Sequence, residues 1–91
     1  MINYKERALE FGKKESDSIE ILMAYESDEY LIITLVTPEL IKAGSALDYY
    51  RYAVNRKTDK EYFGKGFGFL QEDGFENVKI SDLIEIDIDE S

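Results

Sequence analysis

The chain has 91 residues, of which 44% are apolar, and its five Phe and seven Tyr provide enough large side chains for one hydrophobic core. It contains no Cys and no His, which excludes disulfides, thiolate metal sites, a thiol nucleophile and the commonest general base. Twenty acidic residues against eleven basic ones give a formal net charge of −9, which opposes binding to nucleic acid and anionic membranes and favours basic partners.

The apolar segments of the chain predict a cytosolic protein. The N-terminal residues lack the apolar stretch of a signal peptide. The longest apolar run, Leu31–Val36, is interrupted by Thr34 and is far too short to cross a bilayer. We therefore expect residues 1–91 to form a single cytoplasmic domain.

The first predicted element is a helix over residues 4–14. Asn3 is placed to cap it, and Glu6 stands three residues later in the position of a capping box. Tyr4, Ala8 and Phe11 share one face at i, i+4, i+7 spacing, which gives the helix an apolar side to bury.

Two strands are predicted next. In residues 19–25 the odd positions Ile19, Ile21, Met23 and Tyr25 are expected to share one face. After a turn at residues 27–29, Tyr30–Val36 is apolar on both faces and rich in β-branched residues, which favours a central strand.

The second half of the chain predicts a short helix and three more strands. Thr37 and Pro38 open the helix and Gly44 ends it. Residues 49–54 and 61–63 form a hairpin across a polar turn, and residues 77–88 contain a final strand with Ile84, Ile86 and Ile88 on one face. The predicted fold is α+β, with the N-terminal helix packed on a mainly antiparallel sheet of four to five strands.

Residues 65–70, Lys-Gly-Phe-Gly-Phe-Leu, resemble the start of the RNP1 octamer of RNA recognition motifs, in which two aromatics stack on bases. Glu72 stands where the octamer has a third aromatic, and no companion RNP2 strand precedes it. Because the negative charge also opposes RNA binding, we expect Phe67 and Phe69 to pack at a bulge or sheet bend.

Glycines at positions 64, 66 and 68 have a spacing similar to that of a phosphate-binding loop. Such a loop requires a following helix, whereas Phe69 and Leu70 are expected to continue as a strand. The sequence therefore predicts no nucleotide cofactor.

Carboxylates alternate along the last predicted strand at Glu85, Asp87 and Asp89, followed by Glu90. Alternate side chains on a strand lie about 6.5 to 7 Å apart, which is too far for them to chelate one cation. We expect a solvated edge strand with no metal, and we find no constellation of residues typical of an enzyme.

The aromatic run at residues 49–52 is the strongest candidate for a binding surface. A strand with one face packed inward displays either Tyr50 and Tyr52 or Tyr49 and Arg51, and Tyr and Arg are enriched at binding hot spots. The alternative is ordinary sheet packing in which the Tyr hydroxyls reach water.

Charge is distributed unevenly along the chain. Residues 17–39 carry six acids and no base, and residues 72–91 carry eight acids and only Lys79, whereas residues 40–71 carry six bases against three acids. Unless folding interleaves these segments, the molecule has two electrostatically different faces. The predicted partner-binding residues are Tyr50, Tyr52, Glu26, Asp28, Glu29, Glu85, Asp87 and Asp89.

Residues 52–60, Tyr-Ala-Val-Asn-Arg-Lys-Thr-Asp-Lys, resemble a hairpin found in small bacterial immunity proteins that neutralise polymorphic toxins, although Asp59 stands where that hairpin has glycine. The resemblance implies a single-domain inhibitor, often acidic, that binds a toxin and covers its active site. We therefore expect a non-catalytic binding protein with a basic protein partner, a toxin or a nucleic-acid-binding enzyme. The alternatives are a phage-type nucleic-acid mimic and an oligomeric structural or accessory protein that forms a homodimer through an exposed strand.

Overall fold

The computed structural model describes residues 3–87, which form a five-stranded antiparallel sheet with one long helix against it. The strand order is β4-β3-β2-β1-β5, and the strands are β1 (Glu20–Glu26), β2 (Tyr30–Val36), β3 (Tyr50–Asn55), β4 (Lys60–Lys65) and β5 (Ile84–Ile86). The α helices are α1 (Tyr4–Lys13) and α2 (Pro38–Ala43), and short 3-10 helices lie at Ala46–Asp48, Gly68–Gln71 and Ile80–Asp82. The predicted α+β architecture is confirmed.

Helix α1 begins where its sequence signal predicts. The side chain of Asn3 accepts a hydrogen bond from the backbone N–H of Glu6 at 3.2 Å, which satisfies one of the free donors of the first turn. Ala8 and Gly12 are buried against the sheet. A Cβ at Gly12 would lie 3.0 Å from two side-chain carbons of Ile19, so glycine allows α1 to lie close to the start of β1. No helix among residues 3–87 is both long and apolar enough to cross a membrane.

Strand β2 is the central strand of the sheet, as its sequence predicts, and all seven of its residues are buried. Leu31, Ile33 and Leu35 point to the side covered by α1, which we call the helix face. Tyr30 and Ile32 point to the opposite side and pack against two buried phenylalanines there. The sheet therefore has a hydrophobic core on each of its faces.

The second core is covered by the chain that follows β4, so we call this side of the sheet the loop face. Phe69 and Phe75 are buried there, with ring centroids 6.3 Å apart. The prediction that Phe69 and Leu70 continue a strand is wrong. Gly66, with φ of 68°, turns the chain out of β4, and residues Gly68–Gln71 form a 3-10 helix. Phe69 does serve packing, whereas Phe67 remains 39% exposed.

The glycine spacing around β4 has a packing explanation. A Cβ at Gly68 would lie 2.6 Å from the hydroxyl oxygen of Tyr62, and a Cβ at Gly64 would collide with the same hydroxyl. Both glycines make room for the Tyr62 ring, which packs against the second core.

Strand β1 contains an irregularity that its sequence does not reveal. Ile21 pairs with Leu35 and Met23 pairs with Thr34, so Leu22 is an extra residue without a pairing partner on β2. Ile19 and Ile21 consequently lie on the helix face, whereas Met23 and Tyr25 lie on the loop face. The prediction that these four side chains share one face is wrong because the bulge shifts the alternation by one residue.

The final strand agrees with its prediction where the structure describes it. Ile84 and Ile86 of β5 share a face, and Ile86 packs against the core of the helix face while Ile84 is 69% exposed. Ile88 lies outside the described residues.

Candidate functional site

The aromatic strand β3 does not display its tyrosines as predicted. Tyr52 is fully buried, and its ring lies 5.8 Å from that of Phe11 on α1. Tyr50 is half-buried and stacks on Phe63 of β4 at a centroid distance of 5.5 Å. Because α1 covers this face of β3, the expectation that Tyr52 is available to a partner is wrong, and Tyr50 offers only part of its surface.

The hydroxyl of Tyr52 is held inside a charged network. It donates a hydrogen bond to Glu61, whose carboxylate also accepts bonds from the Nε of Arg7 at 2.9 Å and from its Nη2 at 2.6 Å. The hydrogen bond from Arg7 lowers the pKa of Glu61, and burial raises the pKa of Tyr52. The network joins α1 to β3 and β4, so the hydrogen bonds of Arg7, Tyr52 and Glu61 attach the helix to the sheet.

Two of the predicted acidic residues are neutralised by neighbours within the fold. Glu26 pairs with Arg56 at 3.0 Å. Glu29 accepts a hydrogen bond from the Asn55 amide at 3.0 Å and lies 3.9 Å from the ammonium of Lys57. The basic middle segment therefore reaches into the acidic turn, and the sequence expectation of two separate faces is correct only in part.

Other carboxylates do come together at one edge of the sheet, which we call the acidic edge: Asp28, Asp82, Glu85 and Asp87. Strand β5 pairs with β1, so that Glu85 lies opposite Tyr25 and Ile84 lies opposite Glu26. All four carboxylates are exposed, and Asp28, Asp82 and Glu85 make no ion pair with any residue in the range 3–87. Folding therefore joins the two acidic segments of the sequence.

A shallow depression of about 390 Å³ lies at this edge, and its lining includes Asp28, which follows β1, and Asp82, which precedes β5. Lys57 and Lys79 also line it. Within residues 3–87 no cluster of acidic residues is arranged to hold a metal ion. Asp89, the remaining predicted acidic residue, lies outside the described residues.

A second concave site lies on the loop face. It is a pocket of about 340 Å³ between the sheet and the chain after β4, and its walls include Leu22, Met23, Phe67, Ile80 and Leu83. The bulge in β1 directs both Leu22 and Met23 toward it. Its floor carries Thr34 of β2 and Arg51 of β3, which are paired directly across the two strands.

Arg51 is the unusual member of this pocket, because it is buried at 8% exposure without a carboxylate partner among the described residues. Its guanidinium carbon lies 4.1 Å from the centre of the Phe67 ring. Its two terminal nitrogens donate hydrogen bonds of 3.3 Å to the backbone carbonyls of Tyr49 and Ala46. Burial lowers the pKa of Arg51, but an arginine side chain stays charged at neutral pH.

From the sequence, Arg51 was a candidate only as a member of the pair Tyr49 and Arg51, one of the two pairs that β3 could display. The sequence did not indicate the pocket. The pocket depends on where residues 66–83 fold back, and no periodicity within that segment indicates the sheet face it covers. Neither a protein-family model, nor a curated protein, nor a solved structure matches this chain.

Proposed function

We propose that the chain is a non-catalytic binding protein of the inhibitor or immunity type, which binds a basic macromolecular partner through its acidic edge. The observation that supports this proposal most is the pairing of β1 with β5. It brings the strand that carries Glu85 to the edge of the sheet beside β1, whose following turn carries Asp28, so exposed carboxylates from the two most acidic segments of the sequence lie at the same edge.

The charge at this edge favours a cationic partner. Lys57 and Lys79 line the depression but make no ion pair with Asp28, Asp82 or Glu85 within the described residues. The field of these three carboxylates is therefore weakened but not cancelled, and it extends into solvent over roughly a Debye length, about 8 to 10 Å at physiological salt. Such a field raises the association rate with positively charged surfaces and disfavours anionic ones.

An apolar contact is available beside these charges. Ile84 is 69% exposed on the edge strand, between Asp82 and Glu85 in sequence. Tyr50 lies on β3 and is separated from β1 by β2, so it does not flank the acidic edge. We infer that Ile84 provides the buried contact that the tyrosines were expected to supply.

The immunity-type part of the proposal comes from the hairpin resemblance. Asp59 has φ of 62°, the left-handed conformation that a glycine at this position of the resembled hairpin would adopt readily. The non-catalytic part is supported by the Arg7, Glu61 and Tyr52 network, in which each group already has a structural partner.

The test is partner capture by matched charge variants. The edge variant carries Asp28→Asn, Asp82→Asn and Glu85→Gln, and the control carries Glu15→Gln, Glu39→Gln and Glu72→Gln, which remove the same number of exposed charges elsewhere. Wild type and both variants are immobilised and exposed to lysate of the native host, and the proteins they retain are identified by mass spectrometry. We expect wild type and the control to retain a basic protein that the edge variant loses. Equal retention by all three proteins, or turnover of a metabolite by the purified chain, would contradict the proposal.

A further inference from the structure

We propose that the pocket on the loop face binds a small organic molecule that has an apolar body and a single carboxylate, with Arg51 pairing with that carboxylate. This inference is independent of the proposed partner at the acidic edge, since it concerns a separate cavity on the sheet surface.

The first argument is the unbalanced charge of Arg51. A buried cation normally has a carboxylate beside it, because removing a charge from water costs several kcal/mol unless a counter-charge or strong hydrogen bonds replace the water. Here the guanidinium has two hydrogen bonds of 3.3 Å to backbone carbonyls, the face of Phe67 and the neutral side chains of Tyr25 and Thr34 around it, but no ion pair with a carboxylate of the described residues. An anion entering the pocket would complete the environment of this side chain.

The second argument is the number of donors that remain. A guanidinium has five N–H donors, and two hydrogen bonds to protein are found for Arg51. No fully buried side-chain nitrogen or oxygen lacks a partner within residues 3–87, so the Nε of Arg51, for which no hydrogen bond is found, is not fully buried. The two backbone hydrogen bonds and the Phe67 ring beneath it restrain the guanidinium, whose planar set of donors suits bidentate pairing with a carboxylate.

The third argument is the chemistry of the walls, which selects the class of anion. Leu22, Met23, Ile80 and Leu83 offer an apolar surface, and the described lining contains neither Lys nor a second Arg nor any acidic residue. One cation suits a singly charged group better than a phosphate, whose second charge would have no partner. Thr34, opposite Arg51 in the ladder, supplies a hydroxyl beside it.

The size of the cavity agrees with such a ligand. Its volume of about 340 Å³ is at the lower end of the range for small-molecule sites, roughly 300 to 1,000 Å³, which are mostly apolar with a few polar groups that fix orientation. Phe67 and Ile80 are 39% and 49% exposed, so the apolar rim is open to an entering molecule.

The test uses three probes that share a phenylpropyl body: phenylpropionate, its neutral amide phenylpropionamide, and the cation phenylpropylamine. Each is titrated into the full wild-type chain while backbone amide NMR signals are followed. We expect saturable shifts centred on Thr34, Arg51 and Phe67, and a dissociation constant for the carboxylate at least roughly tenfold lower than for the amide. The amine should bind most weakly.

Variants identify the anchor. Arg51→Met keeps an unbranched apolar stem without the charge, and we expect it to remove the preference for carboxylate over amide. Arg56→Met removes one positive charge from a residue outside the pocket and should leave that preference unchanged. If Arg51→Met does not fold, the wild-type comparison of carboxylate and amide decides the question without it.

Four results would overturn the proposal, and the first three are no shift from the carboxylate at millimolar concentration, equal binding of carboxylate and amide, and an unchanged preference in folded Arg51→Met. Shifts that spread over the acidic edge instead of the pocket would overturn it too. The pocket contains none of Asp28, Asp82 and Glu85, so probe binding and partner capture can fail separately.

Discussion

The hydroxyl of Tyr52, a side chain with no solvent exposure, donates a hydrogen bond to the carboxylate of Glu61. Glu61 is in turn held by Arg7 of α1, so one buried phenol links the interior of β3 to the helix above it. A hydrogen bond between a buried hydroxyl and a charged group contributes more to stability than one between neutral groups.

We therefore expect Tyr52→Phe to lower the free energy of unfolding by about 1.5 to 3 kcal/mol, because it removes this bond while keeping the ring that packs on Phe11. Urea denaturation followed by circular dichroism measures the change. Tyr50→Phe is the matched control, since Tyr50 is only half-buried and its ring stacking on Phe63 is retained. Equal losses in the two variants would contradict the assigned role of the Tyr52 hydroxyl.

The same network predicts an acid-sensitive component of stability. The hydrogen bond from Arg7 lowers the pKa of Glu61 in the folded protein. A carboxyl whose pKa is lower when folded stabilises the protein above its unfolded pKa, about 4.3 for Glu, and this stabilisation is lost as pH falls through the folded pKa. We expect the unfolding free energy of Glu61→Gln to fall less steeply than that of wild type below about pH 4.3.

Urea titrations at a series of acidic pH values measure this slope, and Glu15→Gln controls for removing one carboxylate at an exposed site. If the unfolding free energy of Glu61→Gln falls with acid as steeply as that of wild type, protonation of Glu61 does not contribute to the acid sensitivity of the fold.

The contact between Gly68 and Tyr62 predicts a coupled pair of substitutions. Gly68→Ala places a methyl group 2.6 Å from the Tyr62 hydroxyl oxygen, and the ring must move to relieve it. Overpacking of this kind costs about 1 to 3 kcal/mol. The next atom of the ring is 3.5 Å away, so Tyr62→Phe should remove most of the clash.

A double-mutant cycle of Gly68→Ala and Tyr62→Phe measures the coupling between these positions. We expect the double variant to be more stable than the sum of the two single changes, by at least about 0.5 kcal/mol. Simple additivity would show that the backbone, and not the hydroxyl, sets the cost of replacing Gly68.

The proposed function predicts how binding to a captured basic partner depends on salt. Association should slow as ionic strength rises, because screening weakens the attraction to the acidic edge. The variant with Asp28→Asn, Asp82→Asn and Glu85→Gln should associate more slowly and depend less on salt, while Ile84→Ala should mainly speed dissociation. Surface plasmon resonance at several salt concentrations separates the two rates. Rates that do not change with salt in wild type would argue against electrostatic steering.

The fold was predictable where local signals and core signals agree. The Asn3 cap, the doubly apolar run Tyr30–Val36 and the turn chemistry of Thr37 and Gly44 each indicate one structure from a few neighbouring residues. In the structure Thr37 accepts a hydrogen bond from the Leu40 N–H at 3.2 Å, and Gly44 adopts φ of 76°. These features depend on residues that are close together in the chain, so a single sequence is enough to predict them.

The site was less predictable because it depends on contacts between distant segments. Whether Tyr50 and Tyr52 or Tyr49 and Arg51 point outward depends on which side of the sheet α1 covers, and the alternating sequence of β3 is equally compatible with both. The neutralisation of Glu26 depends on Arg56, thirty positions away in the chain. The pocket exists because residues 66–83 turn back over the loop face and bury Phe69 and Phe75 there. No periodic pattern in this segment indicates that it does so.

The unpaired Leu22 in β1 also determines where this chain tolerates a change in length. Removing a residue from a regular strand turns every side chain beyond it to the opposite face. Such a deletion is strongly destabilising because it moves core side chains to the other side of the sheet. Here Ile21 and Met23 already pair with the adjacent residues Leu35 and Thr34, so a deletion of Leu22 leaves an uninterrupted ladder with every remaining side chain on its present face. We therefore expect the chain to keep its fold when Leu22, in an interior strand of the sheet, is deleted. The deletion removes one apolar side chain from the wall of the pocket.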